Sequence, residues 1–494
     1  MHSATVRFVT ELTGEPDVSS KTARLRTLVF VVTSLGAFMG SLDLSIVNIA
    51  FPALERSFSG DTTAVLAWVI TAYSITYGSL LVIAGRTADR IGSRRVFNLG
   101  LSVFCLGSAL CAVAPSVPFL IAGRVIQGSG AAAMLPASLS LLLANYPRER
   151  RTQIVSLWGG IGALAVATGP TVGAALVTVG GWRWVFLVNL PVGAFAYLMG
   201  RQVLGENVVN PHRPPPDYLG AGLISVALAS VVLAITQGPS WGWSSGRVII
   251  TLAASVLLGL AFLYRCRHHP EPVLDLTLFR ARTFSVTNIA TLLYAMGFFA
   301  MLLGNILFLT SVWHYRIIWA GLAVTPGPLV VASVAGPAGR MAARMGFRPV
   351  LLTGTAFFTL GLLLFALRVG LRPEYVTCWL PATLVLGLGI GLTFPVLSAT
   401  AVSSLRAERY AVGSAVNQTA RQIGGAIGIA ILVVIIGTPH SVLDALANFR
   451  HLWFFSASMA AVSGLTCCFL AGGRPGGTAP APMAASSTDE ATRQ

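Results

Sequence analysis

Apolar runs long enough to cross a bilayer recur from residue 28 to residue 471, with only short polar stretches between them. A helix needs roughly 20 mostly apolar residues to span a hydrocarbon core about 30 Å thick. Charged residues make up only 10% of the chain and hydrophobic ones 55%, with a mean hydropathy of +0.76. A soluble domain carries about 25% charged residues, so this chain cannot build a water-facing surface. The expected fold class is an all-α polytopic membrane protein.

Spans are expected near 28–51, 64–86, 96–115, 118–143, 152–178, 183–203, 218–237, 247–265, 284–312, 318–341, 349–369, 376–403, 412–437 and 451–471. Their spacing divides the chain into a polar tail (1–26), a first set of six (27–205), a linker carrying two further spans (206–283), a second set of six (284–471) and a tail (472–494). The last segment is rich in Ala, Pro, Ser and Thr and is expected to be disordered. The N-terminus lacks the pattern of a cleavable signal peptide, because its first apolar run continues past Phe51 without a small-residue cleavage site.

The net charge of +16 would suggest nucleic acid in a soluble protein. Here its distribution explains it, and no nucleic-acid partner is expected. With the N-terminus placed in the cytoplasm, 24 of the 33 Lys and Arg fall on that side and 7 on the other. The remaining two, Arg124 and Arg421, lie inside spans. Basic residues collect on the cytoplasmic side of membrane proteins, so both termini are expected there. Arginine outnumbers lysine 32 to 1, a codon bias pointing to a GC-rich bacterial genome. The six cysteines lie in or beside apolar segments without metal-ligand spacing and read as small hydrophobes.

An internal repeat organises the spans. The stretch Gly85-Arg86-Thr87-Ala88-Asp89-Arg90-Ile91-Gly92-Ser93-Arg94-Arg95-Val96 returns as Gly339-Arg340-Met341-Ala342-Ala343-Arg344-Met345-Gly346-Phe347-Arg348-Pro349-Val350. Pro136 then matches Pro395, and Glu149-Arg150 matches Glu408-Arg409. Two related six-helix halves joined by an extra helix pair account for both matches. Such halves rock against each other around a midplane site.

The first copy of that loop resembles the signature between helices 2 and 3 of the major facilitator superfamily. Its glycines are expected to permit a tight turn. Asp89 is expected to pair with a neighbouring arginine or cap a helix in one conformation and release it in another, although an ordinary charged turn is the simpler alternative. Gly85, Arg86, Asp89, Arg90, Gly92, Arg94 and Arg95 form this candidate gating loop. Thr87 and Ser93 depart from the usual pattern, and Ala343 removes the acid from the second copy.

Other stretches narrow the resemblance to the fourteen-helix drug:proton antiporters, over about residues 28–471. They are Leu42-Asp43-Leu44-Ser45-Ile46-Val47-Asn48-Ile49-Ala50-Phe51-Pro52, Gly123-Arg124-Val125-Ile126-Gln127-Gly128-Ser129-Gly130, Gly169-Pro170-Thr171-Val172-Gly173-Ala174 and Gly181-Trp182-Arg183-Trp184-Val185-Phe186-Leu187-Val188-Asn189-Leu190-Pro191. The resemblance implies the major facilitator fold, two pseudo-symmetric six-helix bundles with two extra transmembrane helices. It also implies exchange of protons for drugs, antibiotics or other amphipathic molecules by alternating access. A transporter for one specific metabolite on the same scaffold is the alternative.

Asp43 is the one acid of seventeen expected well inside a span. Such a group costs about 2.5–3.5 kcal/mol at a helix centre, so it should face a cavity or a partner. It is read as a proton carrier, or else as a structural polar contact. Arg124, also mid-span, keeps its charge and needs acceptors such as backbone carbonyls, Gln127 or Asp43. The resemblance associates it with proton transfer, and a structural tie is an equal alternative. Gly169, Pro170 and Gly173 match the antiporter motif, where the proline should kink the helix and the glycines allow close packing. In that family the segment is thought to seal the cavity.

Asn48, Trp68, Tyr73, Gln127, Asn417, Gln418 and Arg421 are candidate cavity residues, and Arg421 could instead snorkel to the surface. Phe298, Phe299 and Phe308 could stack on a drug or simply pack. Trp182, Trp184, Trp241 and Trp243 read as interface anchors. No Ser/His, metal or paired-carboxylate constellation lies among the spans and no nucleotide-binding motif occurs. The expected partners are therefore a small-molecule substrate, protons and the bilayer, with a proton gradient in place of any cofactor. The chain is expected to be a monomer in the cytoplasmic membrane and not an enzyme.

Overall fold

The computed structural model describes residues 20–147, 150–205, 214–405 and 409–470. Most of both tails, residues 206–213 of the Pro-rich stretch, and Glu149 and Glu408 of the second repeat match lie outside them. The described residues form long helices and no strand. These are α1 Ser20–Ser57, α2 Thr63–Ile91, α3 Ser93–Ala112, α4 Val117–Asn145 and α5 Arg151–Gly180. They continue as α6 Trp184–Val203, α7 Tyr218–Trp241, α8 Gly246–His268 and α9 Arg282–Ser311. The series ends with α10 Ile317–Met345, α11 Phe347–Arg368, α12 Tyr375–Ser403, α13 Tyr410–Ile436 and α14 Val442–Cys467.

Twelve of these helices are long and apolar enough to cross a membrane, and α5 makes a thirteenth when its two bent segments count as one span. The α14 helix is 26 residues long but is not among them. Its first turns carry Asp444, Asn448, Arg450 and His451. The expected start at residue 451 is therefore corrected to Val442, where the Ser441 hydroxyl caps the helix by accepting from the Asp444 N–H.

Proline explains the interruptions. The two segments of α5, Leu157–Val166 and Thr168–Gly180, meet at 44°, because the Pro170 ring clashes with the carbonyl four residues back. The α10 helix breaks at Thr325, just before Pro326. A π turn opens α12 at Tyr375–Trp379, ahead of Pro381.

The repeat is present in the backbone. Gly92 (φ 101°) separates α2 from α3, and Gly346 (φ 89°) separates α10 from α11. Residues with a Cβ disfavour this region. The sharp turn therefore belongs to Gly92 alone, while Gly85 lies inside α2 facing Pro136. The same offset of 254 residues relates Gly100 to Gly354 and Gly107 to Gly361. In the first half a Cβ on Gly100 would lie 2.7 Å from the Met134 nitrogen. In the second half one on Gly361 would lie 2.9 Å from the Leu386 nitrogen. These sites bring α3 against α4 and α11 against α12. Helices in lipid associate through such close packing of small residues rather than through the hydrophobic effect.

The halves meet along two seams. In one, α2 packs on α13: Thr419 Oγ1 donates to the Gly78 carbonyl at 2.8 Å, and Ile75 joins a core with Ala426 and Ala430. In the other, α5 meets α10. The extra helices are not detached from the bundle. Val232 of α7 enters the Ile75–Ala426 core, and Leu278, between α8 and α9, packs with Val82 of α2 and Val416 of α13.

Trp182 corrects an expectation. It is buried at 3% exposure, its indole N–H donating to Ser57 Oγ at 3.0 Å, so it ties the turn between α5 and α6 to the end of α1 instead of anchoring in lipid. Trp184 and Trp243 are exposed.

Candidate functional site

The polar residues of the first half converge on one buried cluster. Arg124 and Gln127 stand three residues apart on α4, hence on one face. Arg124 Nη1 donates to Asp43 Oδ2 of α1 at 2.6 Å and to Gln127 Oε1 at 2.6 Å. Arg124 Nε donates to the Val69 carbonyl of α2 at 2.8 Å. Gln127 Nε2 donates to Asp43 Oδ1 and to Ser108 Oγ of α3, both at 2.8 Å. Asn189 of α6 adds a bond to Ser108 at 3.2 Å. The Tyr73 ring lies 4.1 Å from the guanidinium carbon of Arg124, in cation–π geometry.

Glycine makes these bonds reachable. A Cβ on Gly107 of α3 would lie 2.5 Å from the Gln127 nitrogen, and one on Gly128 of α4 would lie 2.9 Å from the Tyr73 carbonyl. Asp43 and Arg124 are each 1% exposed. Such a pair is tolerated only when geometry and further hydrogen bonds repay the desolvation of both charges. Both carboxylate oxygens and the ends of the guanidinium that touch them are bonded here.

A second polar group lies between the halves. Tyr77 stacks on Tyr73 with centroids 6.0 Å apart and faces Arg421 and Gln418 of α13. The Arg421 guanidinium sits 5.3 Å from the Phe394 ring of α12, and Phe298 of α9 meets that ring edge-on at 5.0 Å. Arg421 is thus turned into the bundle. Arg421, Gln418, Phe394 and Phe298 are all partly exposed.

The remaining cavity candidates do not join this group. Asn417 is buried and donates to Thr291 and Asn288 of α9 at 2.9 and 3.3 Å. Asn48 donates to the Leu44 carbonyl of its own helix. Trp68 packs where α2, α7 and α13 meet. Phe308 is fully buried among Trp313, Trp379, Phe449 and Trp453.

The Gly169–Gly173 segment packs between α1 and α10. A Cβ on Gly169 would strike Ser45 of α1, and one on Gly173 would lie 2.7 Å from Ile46. Its other side meets α10, where a Cβ on Gly321 would lie 2.7 Å from the Pro170 carbonyl and 2.5 Å from the Ala174 methyl. Thr171 and Thr325 share a hydrogen bond of 2.6 Å. These contacts lie in the half of the bundle away from the arginine-rich loops. Toward those loops, Gly159 and Gly160 of α5 and Gly336 and Gly339 of α10 face open space.

At the arginine-rich end, Arg86 pairs with Glu271 of the linker at 2.9 Å. Arg94 Nη2 donates to the Arg201 carbonyl, in the last turn of α6, at 2.8 Å. Asp89 and Arg95 are exposed and Arg90 half-buried.

The sequence profile described as Major Facilitator Superfamily matches residues 33–429. The chain belongs to the major facilitator superfamily. The multidrug resistance protein Stp of Mycobacterium tuberculosis is 34% identical over 412 residues, covering 83% of this chain and 75% of that protein. The methylenomycin A resistance protein of Streptomyces coelicolor is 34% identical over 418 residues, covering 83% and 85%. Among solved structures, the partially occluded inward-open xylose transporter XylE from E. coli superposes with a TM-score of 0.62 at 12% identity, covering 89% of this chain and 96% of that one. An auto-inhibited POT family peptide transporter gives 0.64 at 15%, covering 90% and 96%.

In this major facilitator, the sequence singled out Asp43, Arg124 and Gln127, and the structure brings all three together. It did not single out Ser108, and Asn189 appeared only within the Gly181–Pro191 stretch, with no role of its own. Serine within an apolar helix usually bonds its own backbone, as Ser79 does to the Ile75 carbonyl at 2.7 Å, and nothing in the sequence marks Ser108 as different. Among the described residues no group of His, Cys, Asp and Glu could hold a metal ion.

Proposed function

We propose that this chain is a proton-coupled antiporter that exports antibiotics or other amphipathic small molecules across the cytoplasmic membrane. Its arginine-rich end and both termini face the cytoplasm, residues 27–205 and 284–471 are the moving halves, and residues 206–283 link them. The observation that carries this reading is the bonding of Asp43, whose two carboxylate oxygens are held by Arg124 and Gln127 in a buried site.

Protonation of Asp43 removes the negative member of the pair. Arg124 cannot lose its own proton. Leaving one member of a buried pair uncompensated costs about 3–5 kcal/mol, so the protonated cluster is driven to rearrange. The α1 helix carries that change to the gate. Asp43 lies on it two residues before Ser45 and three before Ile46, against which Gly169 and Gly173 pack. The α5 helix in turn meets α10 at Gly321 and Thr325. A proton on Asp43 therefore acts on the seam between the halves through a single helix. With α5 and α10 joined at the arginine-poor end, this conformation is the inward-facing one. Each proton entering the cell supplies about 2.3 kcal/mol per 100 mV.

The named relatives support export of antibiotics and other drugs. Energised inverted vesicles test the reading with fluorescent amphiphiles as probes. Wild type should accumulate a probe against its gradient and release protons from the vesicle lumen. Asp43→Asn should insert normally and lose uphill accumulation. Full uphill transport by that variant would overturn the role of Asp43.

A further inference from the structure

The charges between the halves do not balance. Asp43 is the one acid among the described residues held inside the bundle and away from helix ends, and both its oxygens are taken by Arg124 and Gln127. Arg421 has no such partner among the described residues. Its Nε has no hydrogen-bond partner, and the ionisable group beside it is the uncharged Tyr77 phenol. Beside it on α13, Gln422 is fully buried with neither amide atom bonded. Two arginines and one aspartate leave this interior with an excess positive charge.

A cation in low dielectric is stable when a counter-charge reaches it. Arg421 can be reached: it is partly exposed, as are Gln418, Phe394 and Phe298 around it. Guanidinium matches a carboxylate in geometry and charge, and the Phe394 and Phe298 rings offer an apolar wall. A purely cationic substrate would meet a like charge here and find no carboxylate free to pair with it.

We propose that Arg421 binds an acidic group on the substrate, so that the molecules handled are organic anions: aromatic or otherwise apolar bodies bearing a carboxylate or similar acid. This rests on the export reading above and names its substrate class. It also gives the two arginines complementary tasks. Arg124 holds the proton-carrying carboxylate of the protein and Arg421 the carboxylate of the cargo. The stacked Tyr73 and Tyr77 rings lie between them, Tyr73 against Arg124 and Tyr77 against Arg421. Exporting an anion while importing a proton moves two charges in the sense that an inside-negative potential favours.

The test uses 1-pyrenebutyrate, its uncharged methyl ester and the cation ethidium, with purified full-length protein for binding and inverted vesicles for transport. Wild type should bind the carboxylate roughly ten- to a hundredfold more tightly than the ester, the range expected of a hydrogen bond to a charged group. Arg421→Gln should reduce that ratio to about one by weakening only carboxylate binding. Arg421→Lys should restore part of it, which a merely structural arginine would not require. Equal binding of acid and ester by wild type, or an unchanged ratio in Arg421→Gln, overturns the proposal. Failure of the export reading looks different: carboxylate binding would depend on Arg421 while a proton gradient moved none of the three probes. Gradient-driven transport of ethidium and ester without the carboxylate would keep export and overturn the anion assignment alone.

Discussion

Asp43 and Arg124 lie 2.6 Å apart with almost no exposure to solvent, and they belong to helices that are not neighbours in the chain. Their pairing sets the first expected outcome. Asp43→Leu should destabilise the protein by about 3–5 kcal/mol, because it leaves a buried guanidinium uncompensated. The double variant Asp43→Leu/Arg124→Met should recover most of that loss while remaining inactive in proton-driven transport. Thermal unfolding in detergent, followed by intrinsic fluorescence, measures both. A double variant no more stable than the single one would show that the pair contributes little as a unit.

Gln127 reaches both partners and Ser108 as well. Gln127→Leu leaves one oxygen of Asp43 and the Ser108 hydroxyl short of a donor, and should cost about 1–3 kcal/mol. Ser108→Ala removes two bonds at the edge of the cluster, from Gln127 and Asn189, but Gln127 Nε2 keeps its bond to Asp43, so it should cost about 1 kcal/mol. The order of the two melting temperatures checks this, and a larger loss in Ser108→Ala would reverse the hierarchy.

The contact between α5 and α10 can be trapped. Thr171 and Thr325 face each other with oxygens 2.6 Å apart, so Thr171→Cys/Thr325→Cys should form a disulfide under mild oxidation. Transport should stop and return on reduction, since the seam would be locked in one state. In the opposite sense, Gly321→Val puts a side chain where the Pro170 carbonyl and the Ala174 methyl already sit. It should prevent closure and raise the labelling of Thr171→Cys by a membrane-impermeant reagent from outside. Unchanged labelling would mean that the seam does not gate access.

Gly92 and Gly346 adopt φ values of 101° and 89°. Replacing either by alanine should cost about 1–3 kcal/mol through backbone strain. Gly85→Ala, inside α2 with the nearest atom at 3.7 Å from its would-be Cβ, should be nearly neutral. Melting temperatures of the three variants separate the turn-forming glycines from the helical one.

Much of the architecture is legible in the order of residues. A transmembrane helix satisfies its own backbone within one segment, so the apolar runs alone locate α2 to α13 to within about five residues. The α1 helix, Ser20–Ser57, extends eight and six residues beyond the expected 28–51, and α14 begins nine residues before 451, because their outer turns are polar and hydropathy does not register them. The cost of burying Asp43 and Arg124 is likewise a property of the residues themselves, which is why both stand out within their apolar runs.

Which faces touch is a different kind of fact. Ser108 looks like any other small polar residue in an apolar run until Gly107 brings α3 close enough to α4 for Gln127 to bond it, and Asn189 until it donates to Ser108 from α6. Trp182 looks like a lipid anchor until its indole meets Ser57. The contact between Pro170 and Gly321 joins segments from opposite halves, and Arg421 is unpaired only because the described acids all lie elsewhere. Residue order was enough to set the helices, their apolar character and the charges that had to be reconciled, since these depend on local bonding and solvation. Which charge meets which was settled by the tertiary fold, because in a bilayer that choice rests on close packing between residues far apart in the chain.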